Sequence, residues 1–207
     1  MSSRPLSPAE RTRLVALLRA MDRRAFLRAS AAAGVALAAP SVLPGCRTVP
    51  PPEPRSSGLV YLAPAEAYVL DRFAARILPA HPPRPTVEAL ALVKRLDAEI
   101  GWLQAHIDPQ LGRDFRRLLT LAEYGPFVIG FHFRPFTRLS VGAQDAYLRA
   151  WERHRFGTLR MAFRVLRDLC AFFYFCDERT WESIRYAGPW VSGGQAKVTA
   201  WQAGGPR

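Results

Sequence analysis

An all-α fold, a single helical bundle of about five to six helices after a cleaved or tethering N-terminal leader and a Pro-rich linker, is what this sequence predicts. Three observations carry it. From residue 64 onward apolar side chains recur at spacings of three and four, and residues that start or stop helices fall between these stripes. Only one later segment has strand-like character, and nothing else in the chain resembles a partner for it. The chain divides into residues 1–45, an extended N-region with an export signal; 46–59, a Pro/Ser-rich linker; 60–190, the helical domain; and 191–207, a flexible tail.

The first element is a short amphipathic helix. Ser7 is placed to cap it, Pro8 fills the first helical position, Glu10 follows three residues after the cap, and Leu14, Val15, Leu17 and Leu18 supply the apolar face. An extended leader and a true start at Met21 both remain open for this stretch.

Asp22-Arg23-Arg24-Ala25-Phe26-Leu27 comes next and runs into the weakly apolar segment from Ala31 to Ala39. Arg23, Arg24, Phe26 and Leu27 in this order resemble a bacterial twin-arginine export signal, an address read by the translocase. The plainer alternative is an amphipathic helix with a chance arginine pair. Pro40 closes the apolar run at about half the roughly 20 residues that a membrane span needs. Cargo of this route crosses the membrane folded, so such a signal implies a protein that must fold, load a cofactor or meet a partner inside the cell.

Leu43-Pro44-Gly45-Cys46 resembles a lipoprotein cleavage box, with Pro44 where a small residue is usual. Diacylation of Cys46 would tether the chain to a membrane, and the Pro/Ser-rich stretch from Arg47 to Gly58 would serve as a semi-rigid spacer. A lipidated Cys46 leaves Cys170 and Cys176, six residues apart. On an unbroken helix that is about 9 Å of rise, too long for a disulfide, so buried free thiols are expected.

Within the helical domain, Pro64-Ala65-Glu66 opens a helix bearing Val69, Leu70, Phe73, Ile77 and Leu78. Thr86 is expected to cap a second with Leu90, Val93, Leu96, Ile100 and Leu103. Asp108-Pro109 opens a third with Leu111, Phe115, Leu118 and Leu119, which Gly125-Pro126 stops. Phe127 to Phe136 is the strand-like segment, expected as a buried irregular connection with His132 as a structural imidazole. Ser140 caps a helix carrying Tyr147, Leu148 and Trp151. Thr158 to about Phe175 forms the long central helix, with Arg160, Arg164 and Arg167 on one face. That stripe is either a solvated face or a contact for an acidic partner.

The chain carries 29 basic and 17 acidic side chains, a net charge of +12. Residues 1–45 hold seven arginines with Glu10 and Asp22, which leaves 22 basic against 15 acidic groups, or +7, in the rest. The cations are interleaved with acids, as in Arg113-Asp114 and Asp177-Glu178-Arg179, so no nucleic-acid surface is expected. No catalytic, cofactor-binding or metal residues are assigned. The sequence has no Gly-rich dinucleotide loop, GxSxG, CxxC or paired carboxylates on one helix face, and His81, His106, His132 and His154 are too dispersed for a local ligand pair.

Glu66, Leu70 and Ile77-Leu78-Pro79, then Phe136, Leu139-Ser140, Gln144, Leu148 and Trp151, then Phe173-Tyr174, Trp181, Ile184, Tyr186 and Gly188-Pro189 resemble, in that order, the small third subunit of gluconate 2-dehydrogenase and related sugar dehydrogenases. The likeness spans roughly residues 60–190. It implies an accessory subunit without cofactor or catalysis of its own. Such a subunit binds a large, leaderless flavoprotein dehydrogenase of the glucose-methanol-choline type and carries it to the periplasm, where a cytochrome c subunit accepts electrons. Cys176-Asp177-Glu178-Arg179, the Cys46 box and the tail from Val191 depart from that pattern. An exported lipoprotein standing alone, acting as a binding or structural envelope protein, is the alternative. Trp181, Tyr186 and Trp190 are the expected partner interface, Tyr186 and Trp190 lying beyond the last clear helical repeat and Trp181 having the alternative of packing back on the bundle with Ile184; Arg160, Arg164 and Arg167 come next.

Overall fold

Helix starts are where sequence and structure agree most closely in this computed structural model, which describes residues 7–19, 58–78, 84–188, 191–192 and 195–196. The readings of Arg23, Arg24, Phe26, Leu27, Cys46, His81 and Trp190 lie outside the described residues. Helix α1 (Pro8–Arg19) opens on a reciprocal cap: Ser7 N–H donates to Glu10 Oε2 at 2.6 Å and Glu10 N–H to Ser7 Oγ at 3.3 Å. Helix α2 (Pro64–Ile77) starts on Pro64, with Ala63 N–H donating to Glu66 Oε2 at 2.8 Å. Helix α4 (Pro109–Tyr124) takes its cap from Asp108, which accepts the Gln110 N–H at 2.8 Å. Ser140 caps α5 (Val141–Glu152), and α6 (Gly157–Phe175) is the long helix.

Helix α3 (Leu92–His106) starts later than expected, because Thr86 caps an isolated turn and not the helix. Ala91 breaks the run with a left-handed φ of 48°. Packing explains the break. Leu90 and Leu92 are both buried, and two residues apart on a continuous helix they would point about 200° apart, so one would face water.

Helices α1, α2 and α3 each pack against both α4 and α6, and α5 completes the bundle on α6. With α1, α2, α3 and α5 all touching it, α6 holds the central place its apolar girth predicts. The architecture is all-α. Within the stretch expected as a tail, a two-residue antiparallel ladder forms between β1 (Val191–Ser192) and β2 (Gln195–Ala196).

An aromatic cluster occupies one end of the core. Phe73 lies 6.4, 6.2 and 6.1 Å from the ring centres of Phe136, Trp151 and Phe163, and Tyr147 stacks on Trp151 at 5.6 Å. Tyr147 reaches Leu121 O with its hydroxyl at 3.3 Å, and burial and Glu123 push its pKa well up. A Cβ at Gly125 would collide with that hydroxyl, so the residue ending α4 has to be glycine.

The approach to α2 is fixed by a group with no apolar signature. Asp97, fully buried on α3, accepts the N–H groups of Val60, Tyr61 and Leu62 at 2.5, 3.0 and 2.6 Å. Three backbone donors that neither a helix nor a sheet satisfies are thereby paired.

Candidate partner interface

The Trp181 corner is built by a tight turn. After α6, Asp177 accepts the Arg179 N–H and caps the short 3₁₀ helix Glu178–Ile184, whose Thr180 is buried with its hydroxyl on Asp177 O at 2.7 Å. Trp181 turns back, its indole N–H donating to Phe175 O at 2.9 Å, and the Tyr186 ring meets it edge-on at 5.1 Å. Gly188, at φ 103°, passes so close that a Cβ would sit 3.2 Å from the Trp181 ring. Trp181 is thus a half-buried structural anchor, while Tyr186, 40 % exposed, and Ile184 beside it present apolar surface.

The three arginines of the stripe all lie on α6, two of them with partners nearby in the fold. Arg160 donates to His154 O at 2.7 Å and to Arg155 O at 3.0 Å, bracing the connection between α5 and α6. In that connection His154 Nδ1 accepts the Phe156 N–H at 3.1 Å, and burial with Arg155 and Arg160 nearby holds its imidazole below the usual range. Arg167 pairs with Asp168 at 2.8 Å and reaches Glu152 at 3.6 Å. Arg164 is exposed and makes no ion pair among the described residues.

The largest departure from expectation is the segment from Phe127 to Phe136. It is irregular, as expected, but it is not buried. Gly125, Pro126, Gly130 and Pro135 interrupt any repeat, and only Ile129 and Phe136 reach the core. The loop is nonetheless held firmly: Gly125 O accepts from Val128 and Ile129 at 3.0 and 2.7 Å, and Pro126 O from His132 at 2.9 Å. At its far end Glu123 accepts the Thr137 hydroxyl at 2.7 Å and its N–H at 3.1 Å, although burial still pushes the Glu123 carboxyl up. Phe131, with φ 53°, and Phe133 are left 80 % and 89 % exposed, flanked by Phe127, Val128 and the exposed Arg134. The readable signal was negative: none of these phenylalanines has a partner at three or four inside a helix.

Cys170 is buried within α6 and its thiol is pushed up to about 12, whereas Cys176 at the helix end is half-buried; no disulfide joins the two. Among the described residues no group of three His, Cys, Asp or Glu side chains is arranged to hold a metal ion, and no helix is long and apolar enough to cross a membrane. The rigid aromatic loop and the Tyr186 corner are therefore the features that most call for an explanation beyond packing. Compared with protein-family models, curated proteins and solved structures, the chain finds no match among them.

Proposed function

We propose that this chain is the non-catalytic small subunit of a periplasmic flavin-dependent dehydrogenase of the glucose-methanol-choline type, which it binds, stabilises and escorts through the twin-arginine route. The observation that carries the reading is the pair Phe131 and Phe133, held in water on a loop tied down at both ends. Ordering is already done in the free subunit, so apolar contact made there is not offset by loop freezing. Contiguous exposed aromatics of this kind mark association surfaces. The class of partner rests on the likeness of residues 60–190 to the dehydrogenase subunit, and the export step on Arg23 and Arg24. The second reading, a lone lipoprotein, is favoured by Leu43, Gly45 and Cys46 ahead of a Pro/Ser-rich spacer.

Co-expression with a leaderless flavoprotein of that type tests the proposal. Wild-type chain should capture the flavoprotein and deliver flavin to the periplasm. Phe131→Ser with Phe133→Ser should weaken capture by about tenfold or more, with Tyr186→Ala adding to it, while the melting temperature of the subunit stays within a few degrees. Undiminished capture by the triple variant would remove this surface from the account, and no capture by the wild type would leave the lipoprotein reading.

A further inference from the structure

Helix α1 lies ahead of Arg23-Arg24, in the stretch read as leader, yet it is docked on the bundle. It sits on α4 and α6, with Leu14 fully buried and Val15 packed against the core. From the same face Arg11 reaches α3: its Nε donates to Glu99 Oε1 at 2.6 Å and Nη2 to Oε2 at 3.5 Å. Its guanidinium lies 4.0 Å from the centre of the Trp102 ring, which stacks on His106 at 4.8 Å. Glu99 is only 8 % exposed beneath it. The surface under α1 thus offers a carboxylate walled by an indole for a guanidinium and, one helical turn on, an apolar slot for a leucine.

The attachment is specific. Among residues 7–16, Leu14 is fully buried and Val15 half-buried. A 12-residue helix is marginal in water by itself, so α1 keeps its shape because it is docked. If the basic N-region stays on the cytoplasmic face while the folded domain crosses, α1 and the bundle end on opposite sides of the membrane and must part.

We infer that the surface of α4 and α6 edged by Glu99 and Trp102 is a binding site for an amphipathic helix carrying Arg three residues before Leu, and that α1 occupies it reversibly. The time of its emptying rests on the export reading; the existence of the site does not. Vacated, it exposes a carboxylate and an indole to any second helix of the same pattern.

The test uses the full chain with a protease site inserted after Pro54, cut under native conditions and run on a sizing column with a fluorescent peptide of residues 7–19. The fragment bearing α1 should co-elute with the bundle after cutting, and excess peptide should displace it. Peptides with Arg11→Ala or Leu14→Ala should do so at least about tenfold less effectively. A fragment that resists about a hundredfold excess of peptide, or a bundle that unfolds on cutting, would make α1 a fixed core element and overturn the inference. So would a bundle that stays folded and binds no peptide. Cytoplasmic retention of the intact chain would count against the export reading alone, since the exchange experiment involves no membrane.

Discussion

Arg76 and Asp145 meet fork to fork, Nε to Oδ1 at 2.8 Å and Nη2 to Oδ2 at 2.6 Å, and so tie the end of α2 to the middle of α5 across 69 residues of sequence. The pair is part-exposed, and its worth is set by geometry more than by charge: two parallel hydrogen bonds fix one relative position of two helices. The Arg76 guanidinium holds the Asp145 carboxyl below the usual carboxylate range.

That shift gives the pair a pH dependence. A lowered folded pKa contributes stability at every pH above the ordinary Asp value, and the contribution is lost as pH falls through the depressed one. Asp177, lowered by Arg179 and Arg95, adds in the same sense. Asp145→Asn should cost up to about 1 kcal/mol at pH 7 and progressively less toward pH 2. Urea titrations of both proteins at the two pH values check it; a gap that persists at low pH would show that the aspartate acts through packing.

Asp97→Ala should be the most damaging single polar substitution in the domain. It orphans the N–H groups of residues 60–62; Val60 is 73 % exposed and its N–H can turn to water, so the cost of about 1 kcal/mol or more per group falls on Tyr61 and Leu62. The expected loss is about 2 kcal/mol, measured by urea unfolding. Asp97→Asn, which keeps an accepting oxygen, should lose less.

Alkylation should separate the two thiols of α6. A thiol pushed up to about 12 and fully buried carries almost no thiolate at pH 8, so Cys170 should react only when the bundle opens. Mass spectrometry after iodoacetamide, with and without denaturant, reads this directly. Modification of Cys170 in the native protein at the rate of a free peptide would mean that the C-terminal half of α6 opens locally.

For the leader, Arg23→Lys with Arg24→Lys should leave the protein in the cytoplasm, because a lysine point charge lacks the planar fork of a guanidinium. If Cys46 carries a lipid, Cys46→Ala should move the protein from the detergent-extracted membrane fraction to the soluble periplasmic one, since each buried CH₂ contributes about 0.8 kcal/mol to holding an acylated chain. Cell fractionation checks both, and the two results are independent.

The bundle was legible because its helices begin on local chemistry. Ser7-Pro8, Pro64, Asp108-Pro109 and Ser140 each start a helix within a residue of where their side chains alone put it. What could not be read is long-range. Asp97 in a helical repeat is indistinguishable from a surface acid until residues 60–62 are laid across it. The turn at Ala91 comes from two leucines that both find the core, which no local propensity reports. The aromatic density of Phe127 to Phe136 suggested burial, yet Phe131 and Phe133 find no facing surface among the described residues to bury them. Trp181 and Tyr186 do lie together, but Arg160 and Arg167 of the expected stripe are spent on neighbours inside the fold.

The aromatic cluster around Phe73 makes the domain its own optical reporter. Trp151 is fully buried against Tyr147, Phe73 and Phe163, and its indole N–H has no hydrogen-bond partner among the described residues. An indole in so apolar a setting emits at short wavelength, and the stacked Tyr147 passes it excitation energy. Trp102 and Trp181, both only partly buried, emit to the red of it. With Trp190 and Trp201 replaced by Phe, the blue edge of the emission band follows the aromatic end of the core, while the red edge follows Trp102 beneath α1 and the Trp181 corner, so events at the rim and in the interior can be timed separately in one unlabelled sample.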